Sequence, residues 1–109
     1  MTDEDALSCL AALGHPTRLQ TFRRLVEIGP EGLSTGELVE ATGLSQSTFS
    51  THLAVLVASG LVTPEKRGRQ MIQHVDITRL QALMLFLVKD CCGGRSDLCE
   101  PLIAQLSCS

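Results

Sequence analysis

The sequence predicts a mainly α domain with one β-hairpin, an α+β arrangement, on three observations. The apolar residues, 44% of the 109, include no Trp or Tyr and only three Phe, so the core is Leu, Val, Ile and Ala, a composition that favours helix over sheet. Apolar positions recur at helical spacing in segments punctuated by Gly and Pro. Two short strand-like runs flank Arg67-Gly68-Arg69. The length suits a single domain with one core.

The elements follow in order. Asp3 to Leu13 forms a first helix with Leu7, Leu10 and Leu13 on one stripe, ended by Gly14. Pro16, suited to a first helical position, opens a second helix after His15. Leu19, Phe22, Leu25 and Val26 supply its apolar face, and Gly29-Pro30 stops it. Ser34-Thr35-Gly36-Glu37 is a capping box that starts a short third helix reaching about Thr42. Gly43 supplies a tight turn, and Ser45 caps a fourth helix to about Ser59. Leu61 to Lys66 and Gln70 to Asp76 read as two strands, the first confined to an edge by Pro64. Thr78 caps a fifth helix through about Val88, and beyond Gly93-Gly94 a last short helix is expected over Glu100 to Leu106.

Two helices joined through Gly43-Leu44-Ser45 make a helix-turn-helix. On the fourth helix Phe49, Leu53, Leu56 and Val57 form the buried side. The opposite side carries Ser47, Ser50, Thr51 and Ala54, with Gln46 and His52 on its flanks. This face is small, hydrogen-bonding and free of acid, so it can approach phosphates and bond base edges. The hairpin tip Lys66-Arg67-Gly68-Arg69 adds cations that reach a phosphate backbone. The expected fold is therefore a winged helix-turn-helix. Its expected DNA-binding residues are Gln46, Ser47, Ser50, Thr51, His52, Lys66, Arg67 and Arg69.

The net charge of −3 would not by itself suggest a nucleic-acid partner. Its distribution only softens this: Lys66, Arg67 and Arg69 fall within four residues and Arg18, Arg23 and Arg24 within seven. The acids gather at the N-terminus and between Glu27 and Glu40. No Ser/His/Asp constellation, paired catalytic carboxylates or phosphate loop is present, so the chain does not read as an enzyme. The longest apolar candidate, Leu80 to Val88, is far shorter than the roughly 18–20 residues that span a bilayer. The acidic start, Thr2-Asp3-Glu4-Asp5, is unlike a targeting segment, so the expected compartment is the cytoplasm, with no membrane partner.

Four of the five cysteines, Cys91, Cys92, Cys99 and Cys108, lie in the last 19 residues; the fifth is Cys9. An odd count in a cytoplasmic chain points to metal or redox chemistry rather than a disulfide framework. Cys91, Cys92 and Cys99 fall within nine residues, and Gly93-Gly94 gives the chain freedom to bring the third thiol back to the first two. Three thiolates in a pyramid suit a soft trivalent ion, so trivalent arsenic or antimony is the expected ligand, with no permanent cofactor. Adjacent Cα atoms, about 3.8 Å apart, are too close for an ordinary Cys91–Cys92 disulfide, which starts at about 4.4 Å. A Cys92–Cys99 disulfide under oxidation is the alternative switch. Cys108 is read as a terminal thiol, or as the fourth ligand of a zinc or cadmium site. Cys9 is expected to be packed and inert, and His15 and His74 to be structural.

Four segments together carry a family resemblance: His15-Pro16-Thr17-Arg18, Leu44-Ser45-Gln46-Ser47, Ser50-Thr51-His52-Leu53 and Ser59-Gly60-Leu61-Val62. Over roughly residues 5 to 90 the chain resembles the ArsR/SmtB family of metal-responsive repressors. The resemblance implies a homodimer built on the first and fifth helices, double-stranded operator DNA as partner, the fourth helix in the major groove and the hairpin as wing; no protein partner is implied. Many arsenic sensors of the family carry Cys-x-Cys on the third helix, where this chain has Leu38-Val39-Glu40. The histidine and carboxylate ligands of its zinc sensors are also missing from the fifth helix. A subset of arsenic sensors places Cys-Cys and a later Cys just past that helix, the arrangement of Cys91, Cys92 and Cys99. Residues 1–109 are thus expected to form one domain with dimerisation helices at both ends, 91–109 being a cysteine-bearing sensor tail.

Overall fold

The computed structural model describes residues 1–89. Its elements are α1 (Asp3–Leu13), α2 (Pro16–Ile28), a 3-10 turn (Gly29–Glu31), β1 (Leu33–Ser34), α3 (Thr35–Thr42), α4 (Gln46–Ala58), β2 (Val62–Arg67), β3 (Gln70–Val75) and α5 (Ile77–Lys89). The helices start where side chains can take up their unpaired backbone N–H groups. Thr2 and Asp5 form a reciprocal capping box on α1, and Ser34 and Glu37 form another on α3. Pro16 opens α2, with His15 Nδ1 accepting from the Thr17 N–H.

The core gathers where α1, α2 and α4 meet. Phe22 and Leu25 from α2, Leu38 from α3, and Phe49 and Leu56 from α4 are buried. Leu61, Val62 and Leu83 close it from the sheet and α5. On α1 the buried stripe is Ala6, Cys9 and Ala12 rather than the leucines. Leu7 is 65% exposed and Leu10 41%, so these two face away from this chain's own core, whereas Leu13 packs against it. Leu19 and Val26 of α2 are likewise exposed, and Thr21 takes a buried position on that helix instead. Small residues on α1 let it lie close against α2 and α4.

The sheet has three antiparallel strands in the order β1-β3-β2. The sequence predicts only the hairpin. Leu33 and Ser34 pair with Gln73 and Ile72, a two-residue strand too short to carry a periodic signal. Pro64 does lie on an edge strand, since β2 pairs only with β3. The cap of α5 is Asp76, whose Oδ1 accepts from the Arg79 N–H at 2.9 Å, rather than Thr78. The expected helix over Glu100 to Leu106 and the sensor tail lie outside the described residues.

Candidate nucleic-acid interface

The helix-turn-helix is set by Gly43, which closes α3 in the left-handed conformation at φ 72°. The chain then turns through Leu44 to Ser45, the cap of α4. Ser45 Oγ accepts from the Thr48 N–H at 3.2 Å and donates to Thr48 Oγ1 at 2.9 Å. Phe49, Leu53 and Leu56 bury one side of α4, which turns Gln46, Ser47, Ser50, Thr51 and Ala54 to solvent. Val57, expected on the buried side, is half-buried.

The hydroxyls on that face are not equivalent. Thr51 Oγ1 donates to the Ser47 carbonyl at 3.2 Å, so its hydrogen is committed within the helix. Ser47 Oγ lies 3.4 Å from Ser45 Oγ. Gln46 and Ser50 make no side-chain hydrogen bond among the described residues, which leaves their full donor and acceptor capacity facing outward.

His52 is placed differently. It is half-buried, its Nδ1 lies 3.1 Å from Arg18 Nη1, and its ring lies 4.3 Å from that of His15. Burial, with the charges of His15 and Arg18 beside it, pushes the imidazole below the ordinary histidine value. Arg18, counted above among the basic residues, is a structural hub: its Nε donates to Ala12 O at 2.7 Å and its Nη2 to Ala11 O at 3.3 Å. This grouping joins residues 34 positions apart and leaves no periodic trace in the sequence.

The hairpin β2–β3 closes through Gly68-Arg69, with Arg67 paired to Gln70 and Gly68 at φ 64°. Lys66, Arg67 and Arg69 are all exposed at its tip. The sequence reading of the tip leaves out Glu65, whose Oε1 lies 2.8 Å from Arg67 Nη2 and 2.7 Å from His74 Nε2. The His74 hydrogen bond and the Arg67 charge hold the Glu65 carboxyl below its usual range. Among the described residues Lys66 and Arg69 carry no ion pair, so two tip cations stand free and the third is shared with an acid.

The C-terminal end of α4 is tied to two other helices through one carbonyl. Ser59 O accepts from Cys9 Sγ at 3.4 Å and from Arg79 Nε at 3.1 Å. Arg79 also pairs with Asp5 at 3.6 Å, linking α5 to α1. Cys9 is fully buried, in keeping with a packed thiol. His15 and His74 have the structural roles just given. No three His, Cys, Asp or Glu side chains among the described residues come together as a metal site. Cys91, Cys92, Cys99 and Cys108 lie outside the described residues.

Comparison with known proteins places this geometry. A helix-turn-helix domain model matches residues 13–65. The chain is 33% identical over 84 residues to the HTH-type transcriptional regulator YgaV of Escherichia coli K12, covering 77% of this chain and 83% of that protein. It is 37% identical over 70 residues to the putative arsenical resistance operon repressor ArsR2 of Halobacterium salinarum, covering 61% and 58%. In structure it is similar to an ArsR-like transcriptional regulator from Rhodococcus sp. RHA1, with TM-score 0.71 and 26% identity over 94% of this chain and 92% of that one.

Proposed function

The chain belongs to the ArsR family of winged helix-turn-helix transcriptional regulators, and from that premise we propose that it is a homodimeric repressor of an arsenic-resistance operon, released from double-stranded operator DNA when trivalent arsenic or antimony binds Cys91, Cys92 and Cys99. The acid-free face of α4, with Gln46, Ser47, Ser50, Thr51 and His52, meets base edges, and Lys66, Arg67 and Arg69 meet phosphates. The dimer rests on α1 and α5, which lie side by side and leave Leu7, Leu10, Leu85 and Leu87 exposed in the single chain. A second copy covering them removes apolar surface worth about 25 cal/mol per Å².

The observation that carries the inducer is the thiol set. Cys91 follows the last residue of α5 by two positions, and the three thiols fall within nine residues. Soft thiolates suit a trivalent metalloid, and the similarity to an arsenical resistance repressor supports the same class. Binding there acts on α5 at the proposed dimer contact, and Arg79 of α5 reaches the end of α4 through Ser59 O.

A gel shift on the gene's own promoter tests this reading, with arsenite, antimonite, zinc and cadmium under reducing conditions and, in parallel, peroxide after the reductant is removed. Arsenite or antimonite weakens wild-type binding by about 5–150-fold, the usual span of allosteric coupling. The Cys91→Ser/Cys92→Ser/Cys99→Ser variant stays bound. Release of that variant by arsenite overturns the inducer site. Release of the wild type by peroxide, zinc or cadmium but not by arsenite assigns the thiols to redox or to another soft metal. No promoter binding at low salt overturns the repressor itself.

A further inference from the structure

We propose that Arg18 is a positioning residue for DNA recognition: it locks His52 in the form that presents an Nε2–H donor at the edge of the α4 face. The proposal rests on the reading of α4 as the DNA-facing helix.

The geometry leaves His52 little choice. Two of the Arg18 nitrogens are occupied by Ala11 O and Ala12 O, at the C-terminal end of α1, where a cation is favoured. That anchors the guanidinium and directs Nη1 at His52 Nδ1, 3.1 Å away. A guanidinium only donates and does not lose its proton, so Nδ1 must accept. In a neutral imidazole the hydrogen then sits on Nε2. The His15 ring, tilted 32° at 4.3 Å, covers a face of the imidazole. His15 is itself held, since its Nδ1 accepts from the Thr17 N–H at 3.1 Å. His52 Nε2 has no partner among the described residues and is not among the buried unpartnered atoms, so it reaches solvent.

Protonating Nδ1 would set an N–H against the guanidinium N–H and break the lock. The groups acting on His52 discourage that. His15 and Arg18 face it from the start of α2, and α1 offers only its terminal carbonyls; no carboxylate among the described residues acts on it. The result is an uncharged, directional donor, suited to a phosphate oxygen or to an acceptor on a base edge.

Two measurements on the full-length protein test this. The first needs no DNA: nitrogen-15 correlation spectra of the imidazoles at pH 7.5. The wild type is expected to show His52 as the Nε2–H tautomer, and Arg18→Met a mixture of both. A dominant Nδ1–H form in the wild type overturns the proposal, and this reading stands even where a variant fails to fold. The second is promoter affinity across wild type, Arg18→Met, His52→Ala and the double variant. Each single variant loses about tenfold, the worth of one well-placed hydrogen bond. The double variant loses no more than either single one. Additive losses mean that Arg18 acts only through the fold, and overturn the proposal. Unchanged affinity of His52→Ala overturns it alone, whereas no promoter binding by the wild type overturns the reading of α4 as well.

Discussion

α4 and the β2–β3 hairpin both carry candidate DNA-facing residues, yet they are held in opposite ways. α4 hangs from the core by Phe49, Leu53 and Leu56, and its ends are fixed by Ser45 and by the contacts at Ser59. Its outward face bears no formal charge. The hairpin is exposed along β2 after Val62, and β3 buries only Ile72 and Gln73. Its tip is charged, with an acid tied to one of its arginines. A fixed array of uncharged donors and acceptors discriminates among base edges. Exposed cations add attraction that falls with salt and carries little sequence information.

The largest effect that would break this contrast is on stability. Phe49 is fully buried on the side of α4 opposite the exposed Ser47 and Thr51. Phe49→Ala is expected to cost about 3–5 kcal/mol, through lost transfer energy and the cavity left behind. Met71, 39% exposed on β3, is the hairpin counterpart, and Met71→Ala is expected to stay within about 0.5 kcal/mol. Urea denaturation of both variants measures the difference. Equal losses would mean that the two regions are anchored alike.

The same contrast explains what was legible in the sequence. Helix starts depend on local chemistry, so Pro16, the Ser34–Glu37 box and Ser45 mark α2, α3 and α4 directly. Periodicity identifies the apolar face of α4 because that face packs within the chain. On α1 it misleads: Leu7 and Leu10 form a genuine stripe, but the stripe faces outward while Ala6, Cys9 and Ala12 pack inward. An apolar stripe that faces outward looks the same in sequence as one for the chain's own core. β1 escapes because two residues carry no period. The Arg18–His52 and Glu65–His74 contacts escape because they depend on how distant elements meet. The exposed residues of the candidate interface are visible in sequence, but which of their polar atoms are already committed is visible only in three dimensions.

A second, smaller effect sharpens the comparison at the DNA. Gln46→Ala is expected to lose about 1–3 kcal/mol of discrimination between operator and mismatched sites, with the salt dependence of binding unchanged. Lys66→Ala or Arg69→Ala is expected to weaken operator and non-specific DNA alike, and to reduce the slope of log affinity against log salt by about 0.9 for each lost phosphate contact. Fluorescence anisotropy across a salt series, on both kinds of DNA, separates the two signatures. A reduced salt slope for Gln46→Ala, or a specificity loss for Lys66→Ala, would reverse the roles assigned to helix and wing.

The smallest effect concerns the acid within the wing. Glu65 holds Arg67 at 2.8 Å and thereby shares a charge otherwise available to phosphate. Glu65→Gln is expected to tighten DNA binding a few-fold at low salt and to steepen the salt slope by up to about 0.9, one further phosphate contact. The pH dependence of folding gives an independent check. The carboxyl is held below its usual range, chiefly by the His74 hydrogen bond and then by the Arg67 charge. A lowered folded-state value means that its contribution to stability is complete above the ordinary carboxylate range. That contribution is lost as the pH falls through the lowered value, where the folded chain also takes up the proton. Wild type should therefore be the more stable at neutral pH by a small margin, and the margin over Glu65→Gln should close on acidification. Melting curves of the two proteins across that range measure it. A margin that persists once Glu65 is protonated would mean that the glutamate acts by packing, and that Arg67 is not restrained by its charge.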